Sequence, residues 1–222
     1  MSETSLLKGP LAEQYRPRTW NEVVGQNKVV GRIRGMAKRG LAGRAFWIAG
    51  ASGTGKSTIA RLLAAEVAGE WDIEEIDATA LTVAQLRDIE RGLAFRGMSA
   101  TGGRAVIVNE AHGLKRDVIR QLLVSLERIP SHVVWVFTTT SENEDALFED
   151  CLDASPLLSR CIRFDLARRD LARAFAERAQ SIARTEGLDG KPIEAYIRLI
   201  QKHRQNLRAA IQEIESGAML AE

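Results

Sequence analysis

The residues best suited to chemistry form a run at positions 50–57, Gly-Ala-Ser-Gly-Thr-Gly-Lys-Ser, which matches the phosphate-binding pattern G-x-x-x-x-G-K-[ST] throughout. Its glycines allow the backbone to turn sharply and to bring N–H groups against phosphate oxygens. These glycines are Gly50, Gly53 and Gly55. Lys56 would reach the β- and γ-phosphates, and Ser57 would offer its hydroxyl to Mg²⁺. We therefore predict that the chain binds a nucleoside triphosphate.

The segments on both sides of this run agree with that prediction. Residues 45–49 are a short apolar run typical of a buried strand. Residues 58–65 have helical spacing and high helix propensity, and such a helix would point its positive end at the bound anion. The expected nucleotide contacts therefore extend to Thr54 and Thr58, and a chance glycine-rich turn is the less favoured interpretation.

A second polar group follows the apolar residues 105–108, where Asn109 and Glu110 stand at the end of a predicted strand. A triphosphatase needs such a strand to deliver acidic groups to the metal and to the attacking water. Glu110 is suited to orient or deprotonate water. Asn109 would offer Mg²⁺ an amide oxygen without charge, where an aspartate would hold the metal through its hydration shell. The alternative is a strand that simply ends in solvated polar residues.

Two further signals lie downstream. Thr139 or Thr140, after the apolar strand 133–137, could place a hydroxyl near the γ-phosphate, although a threonine run also favours strands for its own sake. Arg208, in the C-terminal helical segment, could fold back onto the nucleotide. A lone arginine on a helix is, however, more often a solvated side chain.

These residues need a scaffold, and the chain alternates short apolar runs with helical segments. Strands are predicted at 45–49, 73–77, 105–108, 133–137 and 162–166, and helices at 27–39, 58–65, 83–93 and 117–128. Thr82 is expected to cap the helix 83–93. Continuous apolar strands that alternate with helices predict a parallel sheet covered on both faces. Residues 1–26 and 97–103 are expected to be loops.

After residue 166 the pattern is only helical, with helices predicted at 168–186, 193–202 and 206–215. We therefore predict two domains. Residues 1–166 would form an α/β nucleotide-binding domain, and residues 167–222 would form a small helical domain. The nucleotide is expected to bind between them.

Composition excludes several classes of protein. The 222 residues are 45% hydrophobic and 27% charged, which argues against disorder, and the net charge of +2 does not by itself indicate nucleic-acid binding. The two cysteines, Cys151 and Cys161, do not form a Cys-x-x-Cys pair, which excludes a disulfide framework and a four-thiolate zinc site. Neither a signal peptide nor a run long enough to span a membrane is present, so we expect a cytoplasmic protein.

Taken together, these residues resemble AAA+ ATPases, and more narrowly the motor subunits of sliding-clamp loaders. The likeness covers nearly the whole chain. Residues 13–26 are similar to the N-terminal segment of replication factor C small subunits and of bacterial DNA polymerase III clamp-loader subunits. Residues 76–78 and the Ser-Arg-Cys run at 159–161 match further family motifs. The resemblance implies a P-loop AAA+ parallel sheet flanked by helices, a helical lid, and ATP with Mg²⁺ as cofactors.

The same resemblance implies roles for individual residues. Arg160 would act as a finger that reaches the ATP of a neighbouring subunit, where its alternative is a buried salt bridge at a domain boundary. Thr139 (or Thr140) would be the first sensor and Arg208 the second sensor, on the lid. The residues expected near the adenine are Tyr15, Arg16, Val23 and Val24.

The partners implied by the resemblance are other AAA+ protomers, a sliding clamp and primer-template DNA, and no membrane. In family members, two helices contact the phosphates of duplex DNA. The matching stretches here carry the basic residues Arg87, Arg91, Arg96, Lys115, Arg116 and Arg120. Acidic residues are interspersed with them, and mixed charge on an exposed helix also serves solubility alone.

Three departures from the family stand out. The family strand motif carries Asp-Glu, so Asn109 bears on hydrolysis more than on nucleotide binding, and Asn109→Asp is expected to raise turnover if the site is otherwise competent. The zinc-binding cysteines of the bacterial subunits are missing. The 222 residues also leave no room for a collar domain, so we expect the AAA+ faces, ATP or another protein to hold the assembly.

We therefore expect an ATPase that drives clamp-loader-like remodelling at DNA during replication. One alternative is an assembly or regulatory subunit that binds ATP and hydrolyses it poorly. Another is a different DNA-linked AAA+ motor, such as a helicase loader or a branch-migration motor.

Overall fold

The computed structural model describes residues 9–140, 154–167 and 169–221, and Cys151 lies outside this range. Contacts divide the chain into two compact units. The first, here called the α/β unit, comprises Lys28–Ala51 and Gly55–Leu166. The second, the helical unit, comprises the chain up to Asn27, the short piece Ser52–Thr54 and the chain from Ala167 onward. By its contacts the N-terminal segment thus belongs with the C-terminal helices, and the division into domains 1–166 and 167–222 stays a prediction.

The α/β unit contains a five-stranded parallel sheet, which confirms the predicted fold class. Its strands are β1 (Arg44–Ala49), β2 (Ala68–Asp77), β3 (Gly103–Asn109), β4 (Val133–Thr139) and β5 (Cys161–Asp165). They lie in the order β2-β3-β4-β1-β5. Because all the pairs are parallel, the carboxyl ends of β1, β3 and β4 meet at one edge of the sheet.

Helix α2 (Asn27–Ala37) precedes β1. The helices that lie between successive strands are α3 (Lys56–Ala65), α4 (Val83–Leu93), α5 (Arg116–Glu127) and α6 (Ala154–Ser159), and α1 belongs to the helical unit. The predicted cap of α4 is confirmed, because Thr82 and Gln85 form a reciprocal capping box. Helix α6 was not predicted, since its sequence lacks a clear apolar period.

Aromatic side chains fill the centre of the sheet on the face that carries α4 and α5. Trp47 stacks on Phe137 with ring centroids 5.7 Å apart, and Phe137 stacks on Trp135 at 6.0 Å. Trp47 and Trp135 are 0% and 1% exposed, which confirms the prediction that both are core residues. These contacts fix the relative positions of β1 and β4, the two strands whose ends carry the glycine run and Thr139.

The helical unit packs around its own apolar core. Its helices are α1 (Leu11–Gln14), α7 (Ala172–Thr185), α8 (Ile193–Lys202) and α9 (Leu207–Glu215). Tyr196 lies at the centre of this core and donates its hydroxyl to Asp189 Oδ1 at 2.8 Å. Burial raises the pKa of Tyr196, so the phenol stays protonated and the hydrogen bond persists at neutral pH. Among the residues that the structure describes, no helix is both long and apolar enough to span a bilayer.

The structure differs from the predicted elements at a few places. The N-terminal segment, expected to be a loop, contains α1 and a 3-10 turn at Trp20–Glu22. Helix α7 begins at Ala172 rather than at residue 168, because Asp170 adopts a left-handed conformation with φ of 60°. Strand β2 begins at Ala68 rather than at residue 73. Its first half is not an apolar run, and pairing with β3 across a register shift makes it a strand.

The segment 97–103, expected to be a flexible loop, is held by one carboxylate on β2. Asp72 accepts hydrogen bonds from the backbone N–H groups of Met98 at 2.8 Å and Ser99 at 2.9 Å. These backbone hydrogen bonds lower the pKa of Asp72. Gly97 is also required, because a Cβ there would lie 2.3 Å from the Gly103 carbonyl oxygen.

We predict that Asp72→Asn releases this segment at neutral pH, because the amide loses the charge and turns an N–H group toward backbone donors. Limited proteolysis should cut near residue 98 faster in this variant than in the wild-type chain. In the wild type the same protection is present above the unfolded pKa of about 4 and is lost as the pH falls through the lower folded pKa. Asp88→Asn is the matched control, because Asp88 is an exposed carboxylate that pairs with Arg91 on the same helix, and equal cleavage of both variants would contradict the prediction.

Candidate nucleotide site

The glycine run lies at the carboxyl end of β1 and has the backbone geometry of an anion cradle. Gly53 and Gly55 have φ angles of 74° and 101°, in the left-handed region that favours glycine. Lys56 is only 7% exposed and donates its ammonium to the carbonyl oxygens of Gly50 at 3.0 Å and Ala51 at 3.1 Å. The lysine is therefore folded into the loop, where an incoming phosphate would find a buried positive charge.

Helix α3 begins at Lys56, two residues earlier than the sequence predicts. Ser57 and Thr58 consequently lie in its first turn, where backbone N–H groups have no partner within the helix. Thr54 and Thr58 are 4% and 8% exposed. This start places the predicted metal-binding hydroxyl of Ser57 at the positive end of the helix dipole.

Strand β4 lies between β1 and β3 and brings their ends together. The N–H of Gly50 donates to the carbonyl oxygen of Thr139 at 3.3 Å, which ties the start of the glycine run to the end of β4. Asn109 ends β3 on the other side of β4, and Glu110 follows it. The structure therefore brings the predicted loop, Thr139, Asn109 and Glu110 to the same edge of the sheet.

Glu110 has an uncommon backbone conformation for a residue other than glycine, with φ of 50°. Its side chain is 44% exposed, and one carboxylate oxygen lies 3.5 Å from Nδ1 of His112. The same Nδ1 lies 3.3 Å from the hydroxyl oxygen of Thr139. His112 therefore connects the predicted water-orienting residue to the predicted sensor strand. From the sequence, His112 could face the site, but no second histidine or cysteine lies nearby to support a metal role, and the 3-10 turn Ala111–Gly113 that folds it back was not evident.

Both candidates for the sensor hydroxyl are close to this edge. Thr139 is fully buried and contacts His112, whereas the buried hydroxyl of Thr140 has no hydrogen-bond partner among the described residues. A buried hydroxyl without a partner is costly unless a ligand or water satisfies it. The sensor role of Thr139 or Thr140 stays a prediction.

Both polar atoms of the Asn109 side-chain amide form hydrogen bonds. Its Oδ1 accepts from the hydroxyl of Thr138 at 2.9 Å, and its Nδ2 donates to Oε1 of Glu75 at 2.6 Å. Glu75 in turn accepts from Arg61 Nε at 2.7 Å. The amide predicted to stand near the metal is thus linked to a carboxylate on β2, which the sequence did not suggest because residues 75 and 109 are far apart in the chain.

The site contains no dense group of metal ligands. In the described ranges, no cluster of three or more His, Cys, Asp or Glu side chains could hold a metal ion. Mg²⁺ in nucleotide sites keeps several waters and takes few protein ligands beside phosphate oxygens. The hydroxyl of Ser57 beside phosphate oxygens would suit Mg²⁺ bound together with a nucleotide, and metal binding by Ser57 and Asn109 stays a prediction.

Arg160 lies at the opposite edge of the sheet from the glycine run. It precedes Cys161, which pairs with Ala45 near the start of β1, whereas the glycine run follows the end of β1. At 3.3 Å per residue, Ala45 and Ala49 lie about 13 Å apart along the strand. Arg160 donates to the carboxylate of Glu127 at 2.5 Å and to the carbonyl oxygen of Pro156 at 2.9 Å. It therefore takes no part in the phosphate loop of its own chain.

Cys161 shows no feature of a reactive thiol. Burial raises its pKa to about 12, so the thiol stays protonated at neutral pH.

In the helical unit, two of the residues predicted near the adenine, Tyr15 and Val24, hold the N-terminal segment to the helices. Tyr15 donates its hydroxyl to Glu186 at 2.5 Å, and that bond raises the pKa of Tyr15. Arg16 pairs with Glu13, and Val24 packs on the helical core. Val23 is partly buried. Contact of Tyr15, Arg16, Val23 and Val24 with a base stays a prediction.

Two residues that the sequence did not single out hold the tip of the glycine run within the helical unit. Asn206 caps α9 by accepting from the N–H of Ala209 at 3.1 Å, and it packs directly on Gly53. Gln26 is 2% exposed and lies 3.4 Å from the Thr54 carbonyl oxygen. Arg208, the predicted second sensor, is exposed two residues after Asn206. Its role also stays a prediction.

The basic residues predicted to contact DNA are all exposed on or beside α4 and α5, which are linked by hydrogen bonds from Gln121 and Ser125 to Glu90. Arg91 pairs with Asp88 on the same helix. The structure therefore presents these side chains on neighbouring helices.

We predict that Gly53→Ala disrupts the loop. A Cβ there would lie 1.9 Å from Oδ1 of Asn206, and the left-handed backbone alone would cost about 1–2 kcal/mol. Thermal unfolding should occur at a lower temperature and ATP affinity should fall. Gly31→Ala is the control, because its Cβ would meet nothing within 4 Å and alanine favours the interior of α2. Equal stability of the two variants would show that the loop tip is not packed as described.

Comparison with known proteins agrees with this geometry. Residues 46–164 match the model of the ATPase family associated with various cellular activities (AAA). The chain is 29% identical to DNA polymerase III subunit gamma of Buchnera aphidicola subsp. Baizongia pistaciae, over 90% of this chain and 58% of that protein. It is 28% identical to replication factor C small subunit 1 of Pyrobaculum islandicum, over 93% of this chain and 61% of that protein.

The fold is similar to that of the RuvB Holliday junction branch migration motor of Thermotoga maritima, with a TM-score of 0.71 at 22% identity. That match covers 90% of this chain and 64% of RuvB, and it bears on the fold alone. The chain spans less than two thirds of each of these relatives. Because the family model covers more than half of the 222 residues, the chain belongs to the AAA family of ATPases, as a nucleotide-binding module related to clamp-loader subunits.

Proposed function

We propose that this chain binds ATP with Mg²⁺ and hydrolyses it as one subunit of a clamp-loader-like assembly that acts at DNA. The observation that carries the proposal is the buried Lys56 in a glycine loop, at the same sheet edge as Glu110 and Thr139. A nucleotide cradle, an exposed carboxylate and a sensor hydroxyl are the parts that a triphosphatase requires.

Each part has a role in the proposed reaction. Lys56 exchanges its loop carbonyl partners for the β- and γ-phosphate oxygens, and Ser57 with Asn109 stands around the metal. A bound Mg²⁺ would offset the charge of those oxygens. Glu110 orients the attacking water, and His112 restrains the Glu110 carboxylate from 3.5 Å away. Thr139 (or Thr140) and Arg208 contact the γ-phosphate as the first and the second sensor.

Arg160 completes the site of a neighbouring protomer. Its place at the sheet edge opposite the glycine loop supports a role in trans, because it is remote from the loop of its own chain. An arginine supplied in this way stabilises the charge on the transferring phosphoryl group and commonly accelerates hydrolysis by a factor of ~10³ to 10⁵. Arg160 would have to leave Glu127 to act, so the contact with Glu127 holds it in place until a partner arrives.

Two observations support the proposed partners, the names of the sequence relatives and the exposed apolar side chains. The sequence relatives are named as subunits of DNA polymerase III and replication factor C, which favours other AAA+ protomers, a sliding clamp and primer-template DNA as partners. Three large apolar side chains, Trp71, Phe95 and Met98, are 91%, 72% and 92% exposed on β2 and after α4. Exposed apolar side chains of this size suit contact with a protein partner such as the clamp.

A second candidate is a subunit that binds ATP to order an assembly but hydrolyses it poorly. Asn109 favours it, because an amide stands where the family has a carboxylate. Steady-state phosphate release with and without DNA separates the two candidates. A branch-migration motor or helicase loader remains a further candidate of the same family, and a pull-down with the sliding clamp would distinguish it, since such a motor should not retain the clamp.

The first prediction of the proposed function concerns ATP binding. Lys56→Ala should weaken ATP binding by about 10- to 100-fold, because it removes a charged hydrogen-bond donor to the phosphates. Isothermal calorimetry measures this loss, and circular dichroism checks that the variant folds. Lys28→Ala removes an exposed lysine on α2 and should leave binding unchanged. The proposal fails if the wild-type chain binds neither ATP nor ADP.

A second prediction concerns assembly. Light scattering should show a larger particle with a non-hydrolysable ATP analogue than with ADP, and Arg160→Ala should abolish the difference while leaving ATP binding intact. Arg163→Ala is the control, because Arg163 lies on the neighbouring strand β5 and pairs with Asp165. A wild-type chain that stays monomeric in both nucleotides would remove the role of Arg160 in trans.

A further inference from the structure

The tip of the glycine run belongs by its contacts to the helical unit, although the rest of the run belongs to the α/β unit. Residues Ser52–Thr54 are grouped with the helical unit, whereas the chain up to Ala51 and from Gly55 onward is grouped with the sheet. A phosphate loop works only when its backbone N–H groups point toward a common centre. The side chains that hold this tip therefore bear on phosphate binding.

The buried side chain of Gln26 is one of the groups that hold the tip. Gln26 is 2% exposed, and its Nε2 donates to the carbonyl oxygens of Ala167 at 3.2 Å and Thr54 at 3.4 Å. Its Oε1 accepts from the N–H of Ala167 at 2.7 Å. A glutamine amide has two N–H donors, and here each of them has a carbonyl oxygen to bind. Gln26 thus joins the loop tip to the residue at which the chain returns to the helical unit.

Asn206 holds the neighbouring residue of the tip. Its Oδ1 caps α9, and a Cβ on Gly53 would lie 1.9 Å from this oxygen and 2.9 Å from the Cα of Asn206. So close an approach is possible only because residue 53 is glycine. Gln26 and Asn206 therefore contact adjacent residues of the tip, Thr54 and Gly53, and all four belong to the helical unit.

The contact of Gln26 sets the direction of a backbone donor in the loop. The carbonyl of Thr54 and the N–H of Gly55 form one peptide unit, and the described residues contain no cis peptide bond. In a planar trans peptide the C=O and the N–H point in opposite directions. Because Gln26 holds the carbonyl oxygen of Thr54, the N–H of Gly55 points away from Gln26. The hydrogen bond thus orients this peptide without using its donor.

We propose that Gln26 is a positioning residue of the nucleotide site, which holds the peptide between Thr54 and Gly55 so that the N–H of Gly55 is presented to a phosphate group. Asn206 supports it by holding Gly53. This inference rests on the proposed function, since it concerns how the same loop binds the triphosphate. The N-terminal segment that contains Gln26 would thereby take part in phosphate binding.

The hold on the loop is tested by hydrogen exchange in the nucleotide-free chain. Gln26→Met keeps the length of the side chain and removes its amide, so the backbone amides of peptides that span residues 50–57 should exchange about tenfold faster. Gln180→Met is the matched control, because Gln180 is 9% exposed in the helical unit and donates to the carbonyl oxygen of Lys191 at 3.4 Å. The control should leave exchange in 50–57 unchanged, and equal exchange in the two variants would overturn the inference.

The role in phosphate binding is tested by calorimetric titration with ATP, at a temperature where circular dichroism shows every variant folded. Gln26→Met should weaken ATP binding by about tenfold, because the released backbone has to be ordered again on binding. Gln180→Met should bind ATP as the wild type does, even if both variants lower the melting temperature by a similar amount. A purely structural role for Gln26 would instead lower the melting temperature and leave the ATP affinity unchanged.

Gln26→Glu isolates the bond to the loop. A glutamate at this position still offers an acceptor to the N–H of Ala167 but turns an oxygen toward the carbonyl of Thr54, so it should weaken ATP binding at least as much as Gln26→Met. Full ATP affinity in both Gln26 variants would overturn the inference while leaving ATP binding by the wild type intact. A wild-type chain that bound no ATP would overturn the proposed function, and the role of Gln26 toward phosphate with it.

Discussion

The parallel pairing of β4 with both β1 and β3 is the constraint on which the site depends. It brings three strand ends to one edge, so that a loop, a threonine and a polar pair from distant parts of the chain become neighbours. The stacked rings of Trp47, Phe137 and Trp135 keep β1 and β4 in register beneath that edge. Burial of these large rings stabilises the arrangement and leaves the polar residues at the strand ends to do the chemistry.

The same sheet separates two groups of charged residues. Its carboxyl edge carries Lys56 and Glu110. Its amino edge carries Arg160 next to the start of β5, away from the glycine run of its own chain. Under the proposed function, this parallel topology would give each protomer a nucleotide site that lacks one positive charge and, at the opposite edge, the arginine that the site of a neighbour needs.

Much of this could be predicted from the sequence, because the strongest signals are local. The glycine run, the buried strands around Trp47 and Trp135, and the cap at Thr82 each follow from a few adjacent residues. The links from Glu75 to Asn109, and from Gly53 to Asn206, join residues far apart in the chain. Single-sequence patterns do not report such contacts. The backbone of Glu110, with φ of 50°, was likewise hidden because no glycine marks it.

Hydrogen bonds link four polar side chains in a row, from Arg61 on α3 through Glu75 on β2 and Asn109 on β3 to Thr138 on β4. This row has a mechanical consequence. Thr138 directly precedes Thr139, and Arg61 is one turn into the helix that starts at the phosphate loop. Each member holds the next through a directional bond rather than through apolar packing. A small displacement of α3 when phosphate arrives would therefore be passed across β2 and β3 to the end of β4, so that the loop and the threonine would move as one linked body.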